Sequence, residues 1–245
     1  MEYRVEQKYL CNAKDLVVLR SRLRQLMVPD THTNAQNEYA IHSLYFDDYQ
    51  NSGYFENEGG VDVRRKYRLR YYNRETEQVQ LEVKRKESGY IKKISCPLAP
   101  ETVQTLLAGG QLPQVDEMPP AYCDALIKMR TALLRPCTVV EYQREAYVYQ
   151  TGNVRVTLDK QITASEQTGY FLHDDIPNRV PLLPDGSFVL EVKYDEVLPA
   201  HIADALGLHD LQQVAFSKYF KAREALKGTF FYHRREVKHE YSRFV

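Results

Sequence analysis

An α+β chain built round a closed antiparallel β-barrel, with a charged interior tunnel and helices packed on its outside, is the fold class this sequence predicts. Three observations carry that expectation. At least five segments alternate charged and apolar residues with a period of two, which puts the charges of each segment on one face of a strand. Several amphipathic helices accompany them and need a sheet face to pack on. The chain holds 19 Tyr and 9 Phe but no Trp, and these rings pack well on a pleated surface.

The elements follow in order. Residues 2–10 alternate as a strand. Asn12 caps a helix over 13–26, with Leu16, Leu19, Leu23 and Leu26 along one stripe and Pro29 beyond its end. A strand is expected near 40–47, then a turn or short helix over 48–60 that closes at Gly59-Gly60. Strands near 62–73, 77–86 and 90–98 come next. A short helix is predicted over 101–108, and a longer one opens at Pro119-Pro120 and runs to about Leu134, since Pro is tolerated in a first turn. Strands near 138–149, 153–159 and 187–195 complete the sheet. The stretch 165–186 contains Gly169, Pro177, Pro181, Pro184 and Gly186 and reads as a long loop. Helices near 200–206 and 217–227 close one domain, residues 1–228. Residues 229–245 form a basic, aromatic tail.

The strand faces carry the chemistry. Residues 62–73 put Arg64, Lys66, Arg68 and Arg70 on one face, opposite Arg65, Tyr67, Leu69 and Tyr71. The strand near 80–86 groups Gln80, Glu82, Lys84 and Lys86. The first strand groups Glu2, Arg4, Glu6 and Lys8. The strand near 153–159 groups Asn153, Arg155, Thr157 and Asp159, and the strand near 187–195 groups Glu191, Lys193 and Asp195. Any one such strand fits a sheet with a single wet face. The recurrence on five strands, together with helices to cover the apolar side, favours an interior tunnel. Dry burial of so many cations is prohibitive, whereas a wet tunnel that takes up a polyanion removes the conflict.

Overall charge narrows the partners. Lys+Arg and Asp+Glu are equal at 33 each, so net charge gives no basis for nucleic-acid or membrane binding. Locally, residues 62–93 hold eleven Lys or Arg against five Asp or Glu. The four cysteines, Cys11, Cys96, Cys123 and Cys137, form no CxxC pair and fit no zinc template, so reduced thiols are expected. The start Met1-Glu2-Tyr3-Arg4 has no apolar leader, and no run approaches about 18 apolar residues. A cytoplasmic protein, or one held at the inner face of a membrane by another chain, is expected. The sequence has no P-loop, GxGxxG, GxSxG or HExxH motif.

An ordered set of motifs resembles the VTC domain of polyphosphate polymerases, within the triphosphate tunnel (CYTH-like) superfamily. The motifs are Glu6-Gln7-Lys8, Ser43-Leu44-Tyr45-Phe46-Asp47, Tyr67-Arg68-Leu69-Arg70-Tyr71, Leu81-Glu82-Val83-Lys84-Arg85-Lys86, Arg155-Val156-Thr157-Leu158-Asp159, Val189-Leu190-Glu191-Val192-Lys193-Tyr194 and Phe216-Ser217-Lys218-Tyr219. They span roughly residues 2–226. The resemblance implies a tunnel that takes ATP and inorganic polyphosphate, uses Mn²⁺ or Mg²⁺, and transfers the γ-phosphate to a growing chain. It implies Lys8, Arg68, Arg70, Lys84 and Arg155 as catalytic phosphate ligands. Lys93, Lys193, Ser217 and Lys218 are implied as further substrate contacts. Glu191 is implied as the metal ligand, with Glu6 as a second ligand or an orienter of Lys8, and Glu82 as a partner of neighbouring cations. A hydrolase of the same fold and a non-catalytic polyphosphate-binding module are the alternatives. No nucleic-acid partner is expected, and a separate membrane protein is.

Two positions depart from the pattern. Arg4 stands where the superfamily's ExExK signature has its first Glu, which disfavours a thiamine-triphosphatase or adenylate-cyclase type. Ala215 stands where the eukaryotic polymerases carry a Lys, which implies one phosphate contact fewer.

Overall fold

A computed structural model describes residues 4–31, 37–88, 90–108 and 120–227, with the side chains of 120–124 left out of account. The expected tail over 229–245 lies outside the described residues.

The strands are β1 (Val5–Cys11), β2 (Val28–Pro29), β3 (Glu38–Asp47), β4 (Arg64–Tyr72), β5 (Gln80–Glu87), β6 (Tyr90–Pro97), β7 (Arg135–Tyr149), β8 (Val154–Ser165), β9 (Val180–Pro181), β10 (Phe188–Tyr194) and β11 (Gln212–Gln213). The helices are α1 (Ala13–Leu26), α2 (Ser52–Glu58), α3 (Pro100–Leu107), α4 (Pro120–Thr131), α5 (Ala200–Leu206) and α6 (218–227). All strand pairings are antiparallel, in the order β11-β1-β10-β8-β7-β3-β4-β5-β6, with β2 added to β7 and β9 to β8.

The sheet is not closed, which corrects the expected closed barrel. Its edges are β6 and β11, and no ladder joins them among the described residues. The edge of β1 that closure needs is already taken. β11 pairs there with Tyr9 and Leu10, and Val214 donates its N–H to the Lys8 carbonyl at 2.8 Å. The other edge, β6, carries Lys92 and Lys93, a common means of blocking edge pairing. The sheet still wraps round. Lys84 of β5 reaches Glu6 of β1 at 3.1 Å, although five strands separate them along the hydrogen-bonded path.

Three apolar clusters hold this shape. On the convex side, α1 and α5 cover β1, β10 and β8 through Leu19, Leu23, Ile202 and Leu206 against Tyr9, Val156, Leu190 and Val192. Leu19 and Leu23 are each 2 % exposed, and each such burial stabilises by about 1.5–3 kcal/mol. Asn12 starts α1 through a capping box with Asp15, accepting from Lys14 N at 2.9 Å. A second convex cluster sets Val103 and Leu106 of α3 and Leu126 and Met129 of α4 against Leu44, Leu69, Leu81 and Val83. The rings of Tyr67 and Tyr71 belong to this cluster.

The third cluster corrects the expectation that all helices lie outside. α6 sits against the concave face, with Phe216, Tyr219, Ala222 and Leu226 on Ile41, Val140, Ala146 and Val189, and Tyr54 of α2 joins them. The physical reason is that part of the inner face is apolar. Val140, Ala146 and Val189 interrupt the charged stripes and need a cover. Further differences are local. β8 continues to Ser165 rather than ending near 159, and the expected loop 165–186 contains β9. α4 ends at Thr131, before Leu134. Two-residue strands β2 and β11 carry too little alternation to be read in advance.

Asp47 ties the inner layer together. Its carboxylate accepts from Asp48 N and Gly53 N, both at 2.9 Å, from Tyr54 N at 3.1 Å, and from the Tyr219 hydroxyl. Asp47→Ala is expected to lower the unfolding free energy by about 2–4 kcal/mol, since it strands a buried hydroxyl and several N–H groups at once. Urea unfolding measures it, and a loss below about 0.5 kcal/mol would contradict the role.

Candidate functional site: a cationic tunnel

The concave face that α6 leaves uncovered encloses a cavity of about 1380 Å³. Eleven Lys and Arg side chains line it against four carboxylates among the described residues. Alternation along each strand explains this lining. β1 turns Glu6 and Lys8 inward, β4 Arg64 to Arg70, β5 Lys84 and Lys86, and β10 Glu191 and Lys193, while their apolar partners enter the convex clusters.

The deep cations are held by three carboxylate centres. In the first, Lys8 Nζ lies 2.9 Å from Glu6 and 3.5 Å from Glu191, and it donates to the Phe216 carbonyl at 2.8 Å. Lys193 also pairs with both carboxylates, and Lys84 with Glu6. Burial and the nearby Glu191 push the Glu6 carboxyl up, but Lys8, Lys84 and Lys193 outweigh them and hold it at about 2. Burial likewise disfavours the Glu191 charge, and Lys193 and Lys8 hold it well below the usual carboxylate range.

The second centre is Glu82, 1 % exposed. Arg68 Nε donates to it at 2.7 Å, Arg70 lies 3.6 Å away, and Lys93 approaches at 3.2 Å from β6. Arg68 also donates to the Tyr45 hydroxyl, and Arg70 to Ser43 Oγ and the Tyr142 hydroxyl. The third centre is Asp159, fully buried, which takes a forked contact from Arg144 at 2.6 and 2.8 Å and the ammonium of Lys218. Tyr142 faces inward with Val140 and Ala146, and its ring lies 4.5 Å from Lys218 Nζ.

Nine residues singled out from the sequence therefore meet in one cavity: Glu6, Lys8, Arg68, Arg70, Lys84, Glu191, Lys193, Ser217 and Lys218. Two do not line it. Arg155 is drawn aside by Asp30 at 2.6 Å and the Tyr39 hydroxyl at 3.0 Å. Lys93 is half exposed on the edge strand and approaches Glu82 across the sheet edge.

Two lining residues escaped the sequence reading. Arg144 shares its face with Val140, Tyr142 and Ala146, but no motif marked it. Lys66 was visible on the face of Arg68 and Arg70 but matched no motif position. Its ammonium donates to Asn57 Oδ1 at 2.6 Å and to Ser217 Oγ at 2.7 Å, and it has no ion pair among the described residues. Burial first, then Lys84, Lys8, Arg64 and Arg68, bring its pKa down to about 7. Lys66 thus places a cation next to Ser217, two positions after Ala215, where the resemblance implied a missing contact. Ser217 also accepts from Phe220 N at 3.3 Å as it opens α6.

A half-wrapped antiparallel sheet with a cationic concave face defines the class: the fold is that of the triphosphate tunnel proteins. The profile of the VTC domain matches residues 3–227, and the chain belongs to the VTC domain family. Among solved structures, a candidate adenylate cyclase from Bacillus halodurans is similar at a TM-score of 0.51 and 13 % identity, over 88 % of this chain and 94 % of that one. A candidate adenylyl cyclase from Hippeastrum, described as having a dominant triphosphatase activity, follows at 0.48 and 12 %, over 91 % and 96 %. A Pyrococcus horikoshii protein follows at 0.47 and 13 %, over 92 % and 99 %. At such identities the likeness concerns fold alone. No curated protein sequence matches the chain.

The donor set suits a divalent ion in one form only. No group of three His, Cys, Asp or Glu side chains occurs among the described residues. Glu191 and Glu6 share Lys8 and Lys193, and Glu191 Oε1 is enclosed without a well-directed hydrogen bond, its neighbour being the Lys193 ammonium. Mg²⁺ and Mn²⁺ commonly take one or two carboxylates and complete their shell with phosphate oxygens and water, and these two carboxylates fit that habit.

Lys66 yields a pH prediction. A polyanion next to its ammonium raises its pKa, so binding takes up a proton where free Lys66 is neutral. Affinity for tripolyphosphate is expected to fall as pH rises through 7 to 8. Calorimetry at pH 8 in buffers of different ionisation enthalpy is expected to show uptake, and Lys66→Met to lower it, the remainder coming from Lys84, which burial brings down to about 8. Uptake unchanged in that variant would contradict the assignment. The folded pKa lies below the unfolded value, so the charged group opposes folding below about pH 10, and Lys66→Met is expected to raise the Tm of the free protein.

Proposed function

We propose that this protein is a metal-dependent polyphosphate polymerase that transfers the γ-phosphate of ATP to the end of a polyphosphate chain. The single observation that carries the reading is a cationic cavity whose forked arginines and lysines are already fixed by buried carboxylates. VTC membership supports polyphosphate, rather than another polyanion, as the ligand. The absence of a helix long and apolar enough to cross a membrane, among the described residues, is compatible with a separate membrane partner.

The chemistry follows from the lining. Arg68 and Arg70 present forked N–H groups to phosphate oxygens, while Lys8, Lys84, Lys193 and Lys218 act as point charges around them. Ser217 and Lys218 lie where α6 opens with free N–H groups. A divalent ion bound by Glu191 and Glu6 would neutralise charge on the phosphates. An oxygen of the chain's terminal phosphate attacks the γ-phosphorus. The bond from that phosphorus to the bridging oxygen breaks, and ADP leaves with the electron pair. The fixed cations stabilise the charge that shifts towards ADP without rearranging during the reaction.

One feature favours phosphate over water as acceptor. A chain phosphate is already anionic and needs no base. Water does, and Glu6 and Glu191 are held so far below neutrality that they are poor bases. No His lines the cavity among the described residues. The second reading, a hydrolase, draws on Lys66, whose pKa of about 7 makes its neutral form available, though a bound triphosphate restores its proton.

Pure protein with ATP and Mn²⁺ is expected to give a ladder of long chains on a polyphosphate-stained gel, together with ADP. ADP with free phosphate and no ladder would shift the assignment to the hydrolase. Glu191→Ala is expected to lower turnover by more than about a hundredfold while leaving polyphosphate binding largely intact. Normal turnover in that variant removes Glu191 from the mechanism.

A further inference from the structure

The β4–β5 ladder ends, beyond the triphosphate site, in a rung that this site does not use. Arg64 pairs in register with Lys86, and Lys66 with Lys84, all four lining the cavity. Like charges directly opposite on a sheet face are destabilising. Deeper on the same ladder the pattern changes, and Arg68 faces Glu82. The three carboxylate centres serve the deep part, and at the outer end Asp195 pairs with Arg4 while Glu56 feels Arg64 only at longer range. Arg64 and Lys86 have no ion pair among the described residues, and Arg64 donates only to the Val61 carbonyl at 2.8 Å.

Exposure runs the same way. Arg70 and Glu82 side chains are 6 % and 1 % exposed, Arg68 16 % and Lys84 33 %. Val61, Val63 and Tyr90 beside the Arg64–Lys86 rung are open to solvent. That rung therefore stands at the outer end of the tunnel. Successive rungs on one face are about 6.5–7 Å apart, so the outer rung lies about 13 Å beyond Arg68.

We propose that Arg64 and Lys86 form an outer subsite for the phosphates of a long linear chain, beyond those held by Arg68 and Arg70. The rung, without an ion pair of its own, lowers the stability of the empty sheet and is neutralised further by an anion that extends outward from the deep site. Triphosphates are too short to use it fully. It therefore selects for chain length, and the ligand is a linear polyphosphate. The inference rests on the polyphosphate reading above.

The test compares two ligands at 0.15 M salt, where distant charges are largely screened. Binding of tripolyphosphate and of a chain of roughly a hundred phosphates is measured by calorimetry for the intact protein, for Arg64→Gln with Lys86→Gln, and for Arg65→Gln with Arg85→Gln. The last pair removes the same charge from the convex face. The first double variant is expected to lose about tenfold in long-chain affinity, with tripolyphosphate affinity within about twofold. Its salt dependence for the long chain should become shallower, as fewer phosphates are neutralised. The convex-face variant should change neither, and the Tm of the first variant should be unchanged or higher.

Equal losses for both ligands, no loss for either, or an equal long-chain loss in the convex-face variant each overturn the subsite. So does equal binding of a single-stranded DNA of similar charge that is lost in the Arg64/Lys86 variant, since the rung would then hold any polyanion. If the intact protein binds the long chain through this rung but not tripolyphosphate, the deep-site reading fails and the subsite stands. If it binds neither, both fail.

Discussion

Confining cations on one concave face is the constraint from which the rest of the structure follows. Each ion taken from water costs several kcal/mol even after relaxation. The protein meets this cost with Glu6 and Glu191, Glu82, and Asp159, all on strands and all facing inward. Each holds two or more cations. These pairs do not make the fold stable, since apolar replacements commonly serve as well. What they provide is position. Arg68, Arg70 and Arg144 are held by them, so a phosphate bound as proposed would meet donors that need little reorganisation.

The same constraint accounts for the architecture. A flat sheet would spread these charges into solvent. Wrapping brings β1 and β5 close enough for Glu6 and Lys84 to pair, yet no ladder joins β6 to β1 among the described residues. α6 fills the apolar part of the concavity and delivers Ser217 and Lys218 to the charged part. Asp47 secures that helix to α2 and the end of β3. The cavity is therefore bounded by strands on most of its circumference and by the start of α6 at its floor.

Much of this was legible because a strand's facing is fixed by parity. Once Arg68 and Arg70 point inward, Lys66 and Arg64 must as well, and Glu82 and Lys84 follow on the next strand. Parity also placed Tyr67 and Tyr71 under the outer helices. The same rule places Arg144 inward with Tyr142 and Ala146, although no motif marks it; the irregularity of this ladder lies on the partner strand, at Gln161. Parity did not reveal that Asp30, on a segment just after β2, pulls Arg155 out of the cavity. Closure was misjudged because it depends on which groups occupy the β1 edge, and the two residues of β11 give almost no pattern. The inward position of α6 was readable in principle, since Val140, Ala146 and Val189 break the charged stripes, but the stripes dominated the reading.

If the carboxylate-fixed cations form a ready site for linked phosphates, as proposed, ligand binding must stabilise the folded chain. The most direct measurement is thermal unfolding of the metal-free protein against increasing tripolyphosphate at constant ionic strength. A ligand that binds only the folded state at a hundred times its Kd adds about 2.7 kcal/mol. The Tm is expected to climb with ligand concentration, by several degrees, and much less for Arg68→Ala with Arg70→Ala. A Tm that stays flat to millimolar tripolyphosphate, or climbs equally in that variant, would contradict the proposed site.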